Sequence, residues 1–161
     1  MASSVEGSVW RLTRPAYAPG LDGKGAKLVG GRWNSPGSAV VYCGSSLALC
    51  VLETFVHLPP MMRTVAALPP MAAIEIALPA GAATIAAESL GAFDPTDEAA
   101  CRALGDAWIA DGASLALSVP SAVVPQERNL ILNVAHADMA AVTVLTDAPY
   151  SFDTRLATPP A

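Results

Sequence analysis

The sequence predicts an α+β domain built on a mixed or split β-sheet with flanking helices. Short apolar runs bounded by turn residues recur along the chain and read as strands. Only two stretches, 45–57 and 94–112, hold a full set of helix start and stop signals. The 161 residues are 53% hydrophobic and 14% charged, which supplies one sizeable core for a single domain, 1–161, with its core at about 9–156.

Each element follows from local signals. Val9 to Leu12 is a short strand that carries Arg11. Pro15 to Lys27 holds Tyr17, Pro19, Gly20, Gly23 and Gly25 and reads as a loop. Gly30 and Gly31 mark an unusual backbone or a close approach just before Arg32, Trp33 and Asn34. Pro36, Gly37 and Ser38 turn the chain into a buried strand, Ala39 to Cys43, that carries Tyr42. Ser45 or Ser46 caps a helix running to about His57, with Glu53 in its middle among Val51, Leu52, Phe55 and Val56. Pro59, Pro60, Pro69 and Pro70 prevent that helix from continuing. Ala73 to Leu78 alternates with period two and reads as a strand, whereas Ala80 to Phe93 reads only as loop with a helical turn.

The second helix has Asp94 as its cap, Pro95 at its first position and Asp97 in its first turn. It carries Ala100, Leu104 and Trp108 in one stripe and stops at Gly112. Ser114 to Val119 and Ala141 to Leu145 read as strands. Between them the spacing of Asn129, Asn133 and His136 fits one face of a helix, and a mixture of loop and short helix fits equally well.

Composition excludes several function classes. A net charge of −5 and the absence of any Lys/Arg run argue against direct nucleic-acid binding. The three cysteines, Cys43, Cys50 and Cys101, form neither a disulfide framework nor a metal-site spacing. The N-terminal MASSVEGSVW lacks the layout of a signal peptide, and no stretch is long and apolar enough to span a membrane, so the expected location is cytoplasmic. The glycines do not form GxGxxG or a P-loop, and there is no GxSxG for an esterase triad with His136 and Asp138. Glu53, His57 and His136 lack a local ligand signature, so no metal is expected.

A carboxylate inside an apolar helix needs a partner or a task, which makes Glu53 the sharpest candidate. It suits stabilising positive charge on a ribose or acting as a base, and it also suits a plain ion pair with Arg32 or Arg11. Arg32 and Arg11 each fit a diphosphate clamp or a structural salt bridge. Tyr42 fits a stacking platform, a donor to a reacting group or a half-buried core position. Ser121, after Pro120 at a strand end, can bond a phosphate or shape its turn. Asn129 and Asn133 offer paired donors and acceptors, or loop support.

At these residues the chain resembles the RES-domain family, the toxin component of bacterial toxin–antitoxin pairs. The resemblance covers about Trp10 to Leu156. It runs through Trp10-Arg11, Gly31-Arg32-Trp33-Asn34, the aliphatic stretch ending in Tyr42, Leu52-Glu53 and Val119-Pro120-Ser121. It closes with Asn129-x-x-x-Asn133-x-x-His136-x-Asp138. The arginine, glutamate and serine of the family name match Arg32, Glu53 and Ser121. The family's later motif usually reads NPxHP, and this chain lacks both prolines.

The resemblance implies a fold like that of ADP-ribosyltransferases and an enzyme that consumes NAD by cleaving the nicotinamide–ribose bond, as a phosphorylase or glycohydrolase. The alternative it implies is a mono-ADP-ribosyltransferase that modifies a host protein. It makes Glu53, Arg32 and Tyr42 the catalytic set, and Arg11, Arg32, Tyr42, Ser121, Asn133 and His136 the NAD-binding set. It also implies a cognate antitoxin, with an Xre-like DNA-binding domain, and self-association. A binding-only protein that kept the fold would have no need of Glu53.

Overall fold

The computed structural model describes residues 7–157. Its centre is a seven-stranded sheet in the order β4-β5-β6-β2-β1-β3-β7. The strands are β1 (Ser8–Thr13), β2 (Val40–Gly44), β3 (Met71–Ala77), β4 (Thr84–Ala86), β5 (Ala116–Pro120), β6 (Arg128–Asn133) and β7 (Thr143–Tyr150). The helices are α1 (Lys24–Val29), α2 (Leu47–His57) and α3 (Glu98–Asp111). Only β4 and β5 run parallel, and every other neighbouring pair is antiparallel.

The sheet is split in its middle. β1 and β3 pair along six positions, from Ser8↔Ala77 to Thr13↔Ala72. β2 and β6 pair along five, from Val40↔Asn133 to Gly44↔Asn129. Between the two blocks, β1 and β2 share the single register pair Trp10↔Gly44. The Cys50 thiol reinforces that joint by donating to the Trp10 carbonyl at 3.1 Å. Beyond it Arg11 and Leu12 separate from Tyr42 and Val40, and a cleft opens where a continuous sheet would have been.

Three apolar groups hold the blocks. Val9, Ile74 and Ile76 of one block meet Val41, Leu130 and Leu132 of the other. The opposite face of β2, β6 and β5 presents Val40, Ile131 and Leu117 to Trp108 of α3 and to Trp33. Phe55 and Val51 of α2 pack over Leu12, Met71 and Phe152, with the Phe55 and Phe152 rings edge to face at 5.9 Å. Burial of large side chains in these groups is the main force that closes the fold.

Several boundaries differ from the sequence expectation. Segment 128–133 is a strand, not a helix, because Leu130, Ile131 and Leu132 are all buried and a strand covered on both faces needs no alternation. Asp97, not Asp94, caps α3 by accepting from Ala99 N and Ala100 N, and Asp94 instead turns the chain by accepting from Thr96 N. Lys24–Val29 forms a short helix inside the expected loop, and Thr84–Ala86 forms a strand in the stretch that carried little signal. β7 runs on to Tyr150 through Pro149, which the sheet tolerates because β7 is an edge strand. The Ser46 cap of α2 matches the expectation, its hydroxyl accepting from Leu49 N at 3.1 Å. Among the described residues no helix is long and apolar enough to cross a membrane.

Candidate active site

The split opens into a cleft of about 1240 Å³ lined by Arg11, Tyr42, Glu53, His57 and Asn129, with Arg32 at its edge. α2 delivers Glu53 because its apolar residues fix the helix on the sheet, leaving Glu53 and His57 one turn apart on the cleft side.

Glu53 is held from just past the end of β5 and from β6. Its Oε1 accepts from Ser121 Oγ at 2.6 Å and from Asn129 Nδ2 at 2.8 Å. Ser121 is itself fixed, since its Oγ accepts from Val123 N at 3.1 Å and Val124 N at 2.9 Å. A hydroxyl has one proton, so both turn amides aim that proton at Glu53. Glu53 Oε2 lies 3.6 Å from His57 Nε2 and makes no shorter polar contact among the described residues. One oxygen is therefore anchored and the other is presented to the cleft.

The two arginines are in opposite states. Arg32 is engaged at the edge: Nη1 donates to the Pro95 carbonyl at 3.1 Å and Nη2 pairs with Glu98 at 3.2 Å. Arg11 lies between the blocks beside Gly20, and its Nε is buried without a hydrogen-bond partner among the described residues. Burying part of a cation without a partner costs free energy that a bound anion would recover.

Tyr42 offers a ring and not a proton. Its hydroxyl donates to Asn34 Oδ1 at 2.8 Å and accepts from Trp33 N at 3.0 Å. Burial pushes its pKa up to about 12. The glycines before Arg32 meet both sequence expectations: Gly30 has φ +74°, and a Cβ on Gly31 would lie 2.4 Å from the Tyr42 hydroxyl.

The structure brings Glu53, Tyr42 and Arg11 into one cleft with Arg32 at its rim. It does not bring Asn133 and His136 there. Asn133 is buried and donates to the Ile109 carbonyl at 3.3 Å while accepting from Ala135 N, which ties β6 to the end of α3. His136 Nδ1 accepts from Asp138 N at 3.1 Å and caps a turn, so the nitrogen that a His–Asp relay would need as a donor is acting as an acceptor. Ser121 reaches Glu53 and is 2% exposed, so it holds the carboxylate and is not part of the cleft wall. Asn129, which the sequence offered as a donor and acceptor or as loop support, is the second holder. Among the described residues no three His, Cys, Asp or Glu side chains assemble as a metal-binding set.

The RES domain model matches residues 8–153. The chain belongs to the RES-domain family. It is 34% identical to the Prs ADP-ribosylating toxin of Sphingobium sp. (strain YBL2), over 92% of this chain and 96% of that one. It is 33% identical to the Toxin Res of Photorhabdus laumondii, over 92% of this chain and 96% of the relative. Its fold is shared with a chain of the Mycobacterium tuberculosis MbcT–MbcA toxin–antitoxin complex at a TM-score of 0.69 and 20% identity, covering 93% of this chain and 86% of that chain. The split sheet is thus the architecture of this RES domain. In it Glu53 faces the cleft with Arg32 at the rim, while Ser121 stands behind Glu53.

Proposed function

We propose that this RES-domain chain is a toxin that consumes NAD by breaking the nicotinamide–ribose bond. The single observation that carries this reading is the pairing, across one cleft, of a carboxylate with one presented oxygen and an arginine with an orphaned buried nitrogen. A dinucleotide has matching features: a diphosphate for the cation and a cationic nicotinamide riboside for the carboxylate.

Breakage of the bond between C1 of the ribose and the pyridinium nitrogen sends the bonding pair to that nitrogen. Nicotinamide leaves neutral and positive charge develops on the ribose. Glu53 Oε2 is placed to stabilise that charge, while Ser121 and Asn129 keep the carboxylate from turning to meet it. Arg11 holds the diphosphate, and Arg32 joins it where the anion competes with Glu98. The Tyr42 ring packs against the nicotinamide or its ribose. The acceptor, water or phosphate, then bonds to C1 and its proton is released.

Two observations favour the transferase alternative. The mouth of the cleft carries exposed apolar side chains, Tyr17, Leu28 and Val29, and one relative is named an ADP-ribosylating toxin. A protein acceptor fits such a rim better than water does. A chain of similar fold sits in a complex named as the MbcT–MbcA toxin–antitoxin pair, and a cognate antitoxin belongs to the same reading here, where it would close the cleft near Arg32.

Incubation of the purified chain with labelled NAD, with and without phosphate, tests this. ADP-ribose marks hydrolysis, its 1-phosphate marks phosphorolysis, and a labelled band in cell extract marks protein transfer. Absence of nicotinamide release under all three conditions overturns the proposal.

A further inference from the structure

α3 contributes no side chain to the centre of the cleft, yet it meets the Gly30–Ser35 loop at four points. Asp106 Oδ1 accepts from Ser35 N at 2.8 Å and Asp106 Oδ2 accepts from Ser35 Oγ at 2.5 Å. Arg102 Nε donates to the Gly31 carbonyl at 3.0 Å. Glu98 pairs with Arg32. At Gly105 the helix comes so close that an added Cβ would lie 1.9 Å from the Trp33 carbonyl oxygen and 2.7 Å from its carbon. Real Cβ atoms do not sit at such distances, so the glycine is what permits the contact.

These groups act on backbone atoms of the residues that flank Arg32, and on Arg32 itself. From the other side the loop is held by Tyr42 and by Asn34, whose Nδ2 donates to the carbonyls of Ala26, Ser35 and Ser38. The Gly30–Ser35 loop, which carries Arg32, is therefore held between α3 on one side and Tyr42 of β2 on the other.

We propose that Asp106, working with Gly105 and Arg102, is a positioning residue for NAD binding that acts through the Gly30–Ser35 loop. It touches no substrate. Because a bidentate carboxylate accepts both the amide and the hydroxyl of one residue, it fixes the loop in rotation as well as in distance. The NAD part rests on the function proposed above, whereas the mechanical part does not.

The test uses the full chain. Asp106→Ala should raise KM for NAD by roughly tenfold while kcat changes far less, since two hydrogen bonds to the loop are lost and the Glu53 corner is untouched. Amide hydrogen exchange at Trp33, whose N–H is held by Tyr42, should accelerate in that variant while exchange in α2 stays as in the wild type. Asp106→Asn keeps an acceptor for Ser35 N and should restore most of the lost affinity. Trp108→Phe, also on α3, loses the bond from Nε1 to Ser114 Oγ beyond the helix end and should lower the melting temperature without raising KM. Where Asp106→Ala does not fold, Ser35→Ala and Asp106→Asn read the same contact in smaller steps. A folded Asp106→Ala with wild-type KM and wild-type exchange at Trp33 overturns the proposal, as does an equal rise of KM in Trp108→Phe. Should the wild-type chain release no nicotinamide, the NAD reading fails, and exchange at Trp33 still decides whether Asp106 holds the loop.

Discussion

The Glu53 corner and the Arg32 loop sit on opposite sides of one cleft and are held by different kinds of contact. Glu53 is fixed by side chains, a serine and an asparagine that reach it from 68 and 76 residues away in sequence. The loop is fixed mostly through its backbone, by Tyr42 at Trp33 N, Asp106 at Ser35 N and Arg102 at the Gly31 carbonyl. Side-chain contacts demand particular residue types and leave a motif. Backbone contacts demand only a well-placed donor or acceptor, and leave almost none. The same division separates the two arginines: Arg32 has its partners built in, whereas Arg11 carries a buried nitrogen with none among the described residues.

Substitutions separate the two modes of holding, and the largest effect is expected at the Glu53 corner. Combined Ser121→Ala and Asn129→Ala should release Glu53 Oε1 and lower nicotinamide-release turnover by roughly 10²-fold, as misplacement of a reacting group does. A double-mutant cycle is the measurement, and an additive pair of small effects would show that Glu53 does not depend on these holders. Arg11→Met should weaken NAD binding by about tenfold or more, because a charged hydrogen-bond donor is lost, while the melting temperature holds or rises as the orphaned nitrogen disappears. Calorimetric titration and a melting curve on one preparation read both. Arg32→Ala should cost less binding than Arg11→Met and should also loosen the tie to Glu98.

Tyr42→Phe should destabilise the chain by about 1–3 kcal/mol, since the Trp33 amide and Asn34 Oδ1 lose their partner. With a pKa of about 12, the phenol stays protonated from neutral pH to about pH 10, so any loss of turnover in Tyr42→Phe should be the same across that range. A loss that grows or shrinks with pH there would return a proton-transfer role to Tyr42. The smallest effect is at the joint of the split. Burial pushes the Cys43 thiol up to about 12 and the Cys50 thiol up to about 11, so both should resist alkylation at pH 8 in the folded chain and react on unfolding.

Much of this was legible in the sequence. The Ser46 cap, the central position of Glu53 in α2, the stop at Gly112 and the demands of Gly30 and Gly31 are local features, and local rules reach them. Segment 126–138 defeated the same rules because β6 is covered on both faces, which removes the alternation that marks a strand. The spacing of Asn133 and His136 looked functional, yet tertiary contacts give one to α3 and the other to a turn. Asp106 was not legible, because an acidic residue on a helix reads as solvated surface until the fold brings Ser35 against it. The split itself depends on how few positions β1 and β2 share, and no single strand records that.

The central claim is that Glu53 performs chemistry on an NAD held by other residues. The direct measurement is nicotinamide release by Glu53→Gln, with NAD titration and a melting curve on the same preparation. The substitution keeps shape and nearly keeps helix propensity while removing the charge. Glu53→Gln should fold and still bind NAD, with turnover lower by roughly 10²–10⁴-fold. A stably folded Glu53→Gln that releases nicotinamide at a near-native rate would contradict it.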